Sequence, residues 1–359
     1  MYASRWVLLF VLMVPGLVGC ASTPARRGAV EPTFFPPPPD APRLQFLLAI
    51  SSDADIPGAR RGLTRALLGD DPLRQLVRPR GVRVHDGIIY VADAGLRTVV
   101  KIDLENKLLD WIRDEGSGKL EAPLGLDLAA DGTLFVADQG RRQVLAYAAG
   151  DHRFLRAYGD PESLLPTAVL ALGEKLFVSD ITDHEIEIYD RHSGARVGTL
   201  GEEGGGVGQF KYPSFLAAGS DGAIYVTDTM NFRIQKLSQE GAHLMSFGKA
   251  GDFSGSVSRP KGIAVDSQGL LHVLDAGFEN AQIFLPDGTA ATYYGGYGDF
   301  AGSMYLPFGI CLDESLLPLL RERVDPRLKV KFLVLITNQA GPHKLNIYAF
   351  GDPAAGPAD

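Results

Sequence analysis

The chain has 359 residues, with 35 Lys and Arg against 43 Asp and Glu, a net charge of −8, and two cysteines, Cys20 and Cys311. Its 45% hydrophobic content supplies a substantial core and excludes a disordered chain. Two thiols without a CxxCH motif exclude a disulfide scaffold and a c-type haem protein. The acidic balance argues against a nucleic-acid partner, because affinity for phosphates comes chiefly from Lys and Arg.

The N-terminus reads MYASRWVLLFVLMVPGLVGCAS. Arg5 gives a short positive start, and residues 6–19 form an apolar run of 14 residues. A membrane-spanning helix needs about 20 apolar residues, so the run suits the apolar region of a secretory signal. Its end, Leu17-Val18-Gly19-Cys20, resembles the lipobox of bacterial lipoproteins. The resemblance implies a signal peptide over residues 1–19, acylation (a palmitate-type modification) of Cys20, and a membrane anchor in the cell envelope. Ala21, where inner-membrane lipoproteins tend to carry Asp, implies the outer membrane. The competing reading is an ordinary signal peptide with an incidental cysteine. Residues 20–42 read as the lipidated Cys20 followed by a tether rich in proline and small side chains; its 22 residues, 21–42, at about 3.1 Å each reach roughly 70 Å.

A repeat of about 45 residues follows. Five copies of a short apolar segment end in Asp: IYVAD (89–93), LFVAD (134–138), LFVSD (176–180), IYVTD (224–228) and LHVLD (271–275). VLITN (334–338) is a weaker sixth. Upstream of each stands a Pro-x-Gly-like turn leading into an apolar strand, at Pro79, Pro123, Pro166, Pro213, Pro260 and Pro307, which advance by 44, 43, 47, 47 and 47 residues. A third strand follows each Asp or Asn, and a fourth follows in most copies, so each unit is a four-stranded sheet. Six such units resemble the NHL repeat, and the resemblance implies a six-bladed β-propeller over residues 43–351 with a tail at 352–359. The sixth unit has an insertion from Asp313 to Lys331 between its first two strands, helix-like around Leu316–Leu320, expected to cover the opposite face of the ring. That unit also lacks its outer strand. The orphan apolar segment 44–51 is expected to pair with the last blade and close the ring, since an open ring leaves a sheet edge unpaired.

The recurring Asp93, Asp138, Asp180, Asp228 and Asp275, with Asn338 in the sixth copy, read as turn-holding acceptors rather than metal ligands, because Asn keeps the acceptor oxygen and drops the charge. His272 fills the slot of Tyr90, Phe135, Phe177 and Tyr225 and reads as a packing residue. Cys311 aligns with Ala264 and reads as a small buried side chain. The seven histidines form no metal-binding spacing, and no catalytic motif, metal or cofactor is expected.

In NHL propellers one face gathers the loops entering each first strand and those joining the second and third. Here these loops are net acidic, against RNA binding. They carry Phe210, Tyr212, Phe253, Tyr297, Phe300 and Tyr305, which read either as a binding patch or as inter-blade packing. The leading expectation is a non-enzymatic, lipid-anchored platform with a monomeric body that binds an envelope protein or peptide. The alternative implied by fold likeness is an enzyme of the peptidyl-hydroxyglycine lyase or lactonase type, with a metal at the axial mouth.

Overall fold

The computed structural model describes residues 31–58, 74–112 and 115–354. The signal segment, Cys20, residues 21–30 of the tether and most of the tail lie outside the described residues. No described helix is long and apolar enough to cross a membrane.

Six antiparallel sheets form a ring. Blade 1 runs Pro79–His85, Ile88–Asp93, Thr98–Asp103 and Leu108–Trp111; blade 2 Pro123–Leu128, Leu134–Asp138, Gln143–Tyr147 and Phe154–Tyr158; blade 3 Pro166–Leu172, Lys175–Asp180, Glu185–Asp190 and Arg196–Leu200. Blade 4 runs Pro213–Ala218, Ile224–Asp228, Arg233–Leu237 and His243–Phe247, and blade 5 Pro260–Val265, Leu271–Asp275, Asn280–Phe284 and Ala290–Gly295. Blade 6 is built from both ends of the chain. Pro307–Asp313, Leu328–Asn338 and Leu345–Pro353 are followed outward by Leu44–Ile50, with Leu44 opposite Phe350 and Ile50 opposite Leu345. The expected closure by residues 44–51 is therefore present. First strands touch one another in succession, and Pro307–Asp313 meets Pro79–His85 to complete the circle.

The burial pattern explains the sequence pattern. Second strands such as LFVAD are buried at every residue, because neighbouring blades cover both faces of the sheet. The outer strands of blades 1 to 5 are mostly exposed or half-buried, with only Leu200 buried in Arg196–Leu200, whereas the closing strand Leu44–Ile50 is mostly buried. The apolar core divides into six clusters, one between each pair of neighbouring blades. Each fully buried Leu, Ile or Phe contributes about 1.5–3 kcal/mol, so the ring is held mainly by these six seams.

Three details differ from the sequence expectation. Each repeat proline starts its strand rather than standing in a turn before it. The glycine two residues on marks close backbone approach at the axis: a Cβ on Gly309 would lie 2.4 Å from the Arg80 carbonyl, and one on Gly262 2.6 Å from that of Phe308. Phe34–Phe35, inside the stretch read as tether, pairs with Leu44 and Gln45 as a fifth strand of blade 6, and the third strand runs on to Pro353, two residues past the expected end of the ring.

The insertion forms a short helix, Leu317–Leu320, and a 3-10 turn, Arg321–Arg323. Leu316 and Leu320 sink into the seam between blades 6 and 1. The Gln45 side chain donates to the Arg323 carbonyl and accepts from the Asp325 N–H, which fixes the insertion to the closing strand.

Candidate functional site

The six Asx residues sit at one face of the ring, fully buried, each beside the start of its own first strand. Asp93 accepts the N–H groups of Val77 and Arg78, just before Pro79, and those of Gly95 and Leu96 in the following turn. Asp275 does the same for Ser258, Arg259, Gly277 and Phe278. Asp138 takes Glu121, Ala122 and Arg141, and Asp180 takes Leu165 and Thr182. Asp228 takes the Lys211 N–H and is ion-paired with Arg233 at 2.8 Å. Asn338 accepts from the Tyr305 N–H and donates its amide to the His343 carbonyl. One side chain thus joins two loops in each blade, with few lone pairs left for a ligand.

The aromatic residues of the loops fall into two groups. Phe210 is fully buried in the seam of blades 3 and 4. Tyr212 and Tyr305 are half-buried; the Tyr305 hydroxyl donates to the Gly298 carbonyl, and its ring meets Tyr297 edge-on at 5.4 Å. Phe253, Tyr297 and Phe300 are exposed, by 48%, 72% and 39%. Phe253 lines a cleft of about 480 Å³ together with Phe278 and Tyr293, beside the Asn280 and Gln282 side chains. The Lys249 ammonium lies 4.5 Å from the Phe253 ring centre and holds it in place.

A second concavity lies at the axis, on the same face. It holds about 340 Å³ and includes, from every blade, the residue after the repeat proline: Arg80, Leu124, Thr167, Ser214, Lys261 and Phe308. A register shift between each repeat proline and the residue two or three positions on marks a bulge at that point of the first strand. Tyr212, Arg259, Gln139 and Gln339 complete the rim. Below, the channel narrows at the glycine positions and Phe215, and the Arg83 guanidinium closes it. Arg83 pairs with Asp127 at 2.9 Å and donates to the Val82 and Ile310 carbonyls, while Asp127 also accepts the Ala171 N–H. Sequence reading missed this mouth because it counted charge in loops, whereas Arg80 and Lys261 stand in strands.

Comparison with known proteins follows this architecture. Residues 210–237, spanning the entry to blade 4 and its first three strands, match the NHL repeat. The protein is a six-bladed β-propeller whose fourth blade matches the NHL repeat. Among solved structures it is similar to virginiamycin B lyase from Staphylococcus aureus, at 13% identity, covering 76% of this chain and 84% of that one with a TM-score of 0.51. A gluconolactonase from Xanthomonas campestris gives 14%, 86%, 89% and 0.57, and a Bacteroides thetaiotaomicron protein of unknown function gives 14%, 86%, 75% and 0.60. At these identities the likeness is one of fold.

The described side chains of this propeller do not fit a histidine-bound metal. Among the described residues no three His, Cys, Asp or Glu side chains stand where they could share an ion. His272 is enclosed by Tyr294, Phe332 and Phe350, and burial pushes its imidazole down to about 3. His152 packs against Tyr90, and His192 lies beside Glu174 on the surface. Cys311 is buried, and burial pushes its thiol up to about 11, away from nucleophilic use. The charged groups at the axial mouth are cations, which repel a metal ion.

Proposed function

We propose that this propeller is a non-enzymatic binding platform of the bacterial cell envelope, anchored through lipidated Cys20 and offering one face of a rigid ring to a protein or peptide partner. The observation that carries the reading is the cleft of about 480 Å³ beside blade 5, where Phe253, Phe278 and Tyr293 remain solvent-exposed. Exposed aromatic side chains on a fixed scaffold are the usual anchors of a binding surface. The cleft is large enough for one or two partner side chains, and the Asn280 and Gln282 amides offer hydrogen bonds beside the rings. The tether and anchor would hold this face within reach of other envelope components.

Proximity cross-linking in native envelopes tests the reading. The full chain is expected to capture a defined partner, and the double substitution Phe253→Ala and Tyr293→Ala to lose that partner while remaining folded. Capture unaffected by the double substitution would overturn the surface assigned. Cys20→Ser is expected to abolish partitioning into detergent; unchanged partitioning would overturn the anchor. A lyase or lactonase reading has fold likeness in its favour. It would displace the binding reading if purified protein carried stoichiometric zinc or calcium whose removal abolished such an activity.

A further inference from the structure

We propose that the axial mouth is a binding site for a small organic acid, with a carboxylate held by Lys261, Arg259 and Arg80 and an apolar body resting on Phe308, Phe215 and Leu124. This site lies apart from the aromatic cleft of blade 5, and the proposal stands without it.

Three cations line one cavity. The Lys261 ammonium has no carboxylate or hydrogen-bond acceptor among the described residues; its nearest feature is the Tyr212 ring, 5.7 Å away. The Arg259 side chain makes no hydrogen bond or ion pair among the described residues. Arg80 donates one Nη to the Gln339 side chain and lies over the Phe308 ring at 4.7 Å, yet its Nε–H is buried with no partner. A buried donor left unpaired is costly, and like charges gathered in one cavity oppose one another. The nearby carboxylates offset these cations in part, Asp275 acting on Lys261 and Asp93 on Arg80, but neither forms an ion pair with them and each accepts four backbone N–H groups instead. Burial and the two neighbouring arginines push the Lys261 ammonium down to about 8. An anion in the mouth would relieve that shift and supply the missing acceptor.

The rest of the lining defines the ligand's other half. Phe308 and Phe215 meet edge-on at 4.9 Å, and Leu124 and Leu306 extend the apolar wall. Gln139, Thr167 and Ser214 offer neutral polar atoms, but the Thr167 hydroxyl already donates to the Pro213 carbonyl and that of Ser214 bonds Thr229. Cation and aromatic wall alternate around one side of the mouth, Lys261, Phe308, Arg80, from three successive blades. A carboxylate on a short hydrocarbon body satisfies both surfaces, and about 340 Å³ is room for it.

The test uses the full chain in detergent and reads acylation of Lys261 by an amine reagent at pH 8, followed by peptide mass spectrometry. Hexanoate at 20 mM is expected to slow labelling of Lys261 at least fivefold, while hexanamide, phosphate and chloride at matched ionic strength leave it within twofold. Arg259→Gln, a substitution at an exposed side chain without a partner among the described residues, is expected to raise the hexanoate concentration needed for half-maximal protection tenfold and leave the melting temperature unchanged. Isothermal titration of Lys261→Gln with hexanoate, with circular dichroism as the check on folding, should show no binding. Equal protection by hexanamide would overturn the anion assignment, and equal protection by phosphate would overturn the apolar half. Protection by none of the four probes, or full hexanoate binding by Arg259→Gln, would overturn the site.

Discussion

Two sets of six equivalent positions stand on the same face of the ring and have opposite characters. The Asx residues ending the second strands are near-identical in all blades, fully buried, and each accepts at least one backbone N–H from the loop entering its own blade. The residues following the repeat prolines line the axis and share no chemistry: Arg80, Leu124, Thr167, Ser214, Lys261 and Phe308. Position in the repeat is equally fixed in both sets. What differs is whether the backbone uses the side chain. Where backbone N–H groups of the entering loop depend on it, Asp or Asn serves every blade; at the axis, where a backbone contact such as that of Thr167 to the Pro213 carbonyl is local to one blade, each blade contributes a different group to a common cavity.

The largest effect should follow from removing an entire repeat position. Residues 44–51 supply the outer strand of blade 6 and the buried Leu44 and Ile50. Deleting them uncovers the edge of Leu345–Pro353 and two inter-blade seams at once. The expected outcome is loss of a single cooperative unfolding transition, with association visible in size-exclusion chromatography. A truncated chain that melts as the full one does would mean the ring closes without its closing strand.

Next in size are reciprocal exchanges within the Asx set. Asp93 turns both oxygens toward N–H donors, whereas the Asn338 amide faces the His343 carbonyl. Asp93→Asn therefore places a donor against the Val77 or Arg78 N–H, and Asn338→Asp places an acceptor against a carbonyl. Each should cost about 1–3 kcal/mol in chemical denaturation, the range for a buried polar group left unpaired. If both were neutral, the residues would be interchangeable space-fillers and the contrast with the axis would collapse.

A third prediction concerns a slot that is aromatic in blades 1 to 4 and histidine in blade 5. His272 is buried, with Nδ1 3.3 Å from the Tyr294 hydroxyl and Nε2 unpartnered. Its folded-state value of about 3 lies below the usual 6.5, so the unfolded chain binds the extra proton and stability falls as pH drops from about 6.5 towards 3. Between pH 6.5 and 5 this single group should remove about 1.5–2 kcal/mol. His272→Phe should flatten that part of the pH–stability curve; an unchanged slope would mean the imidazole is charged or solvated in the fold.

Much of this organisation is legible in sequence, for physical reasons. Second strands buried on both faces must be continuously apolar, so their six copies announce the blades. The missing fourth strand of unit six and the orphan segment at 44–51 announce each other. The glycine after Pro-x is visible, but its cause, carbonyls of neighbouring strands crowding the axis, is not. Sequence position in a loop does not fix exposure: Phe210 and Tyr297 are both loop aromatics, one fully buried and the other 72% exposed. Arg80 and Lys261 escape a count of loop charges because they stand in strands, beside a bulge that no hydrophobic period reveals. Superposing the six copies on their prolines would expose them, since the following column mixes two cations, two hydroxyls, Leu and Phe.

The smallest expected effect separates the two sets most sharply, because its sign is reversed. Lys261 carries its proton at pH 7 although burial and the neighbouring Arg259 and Arg80 push the ammonium down to about 8 from an ordinary value of 10.5. The unfolded chain holds that proton more tightly, so the folded state is penalised below about pH 8 and relieved as pH rises from 8 towards 10.5. Lys261→Met keeps the hydrocarbon stem and removes the charge, so without ligand it should stabilise the ring by about 1 kcal/mol at pH 7. The gain should shrink as pH approaches 10, where the wild-type side chain is neutral in the folded state as well. A scaffold position, such as Asp93 or Asn338, offers no substitution with that profile. Measuring urea unfolding of the wild type and Lys261→Met at pH 7 and at pH 10 decides the matter: a variant less stable at pH 7 would place Lys261 among the groups that hold the ring.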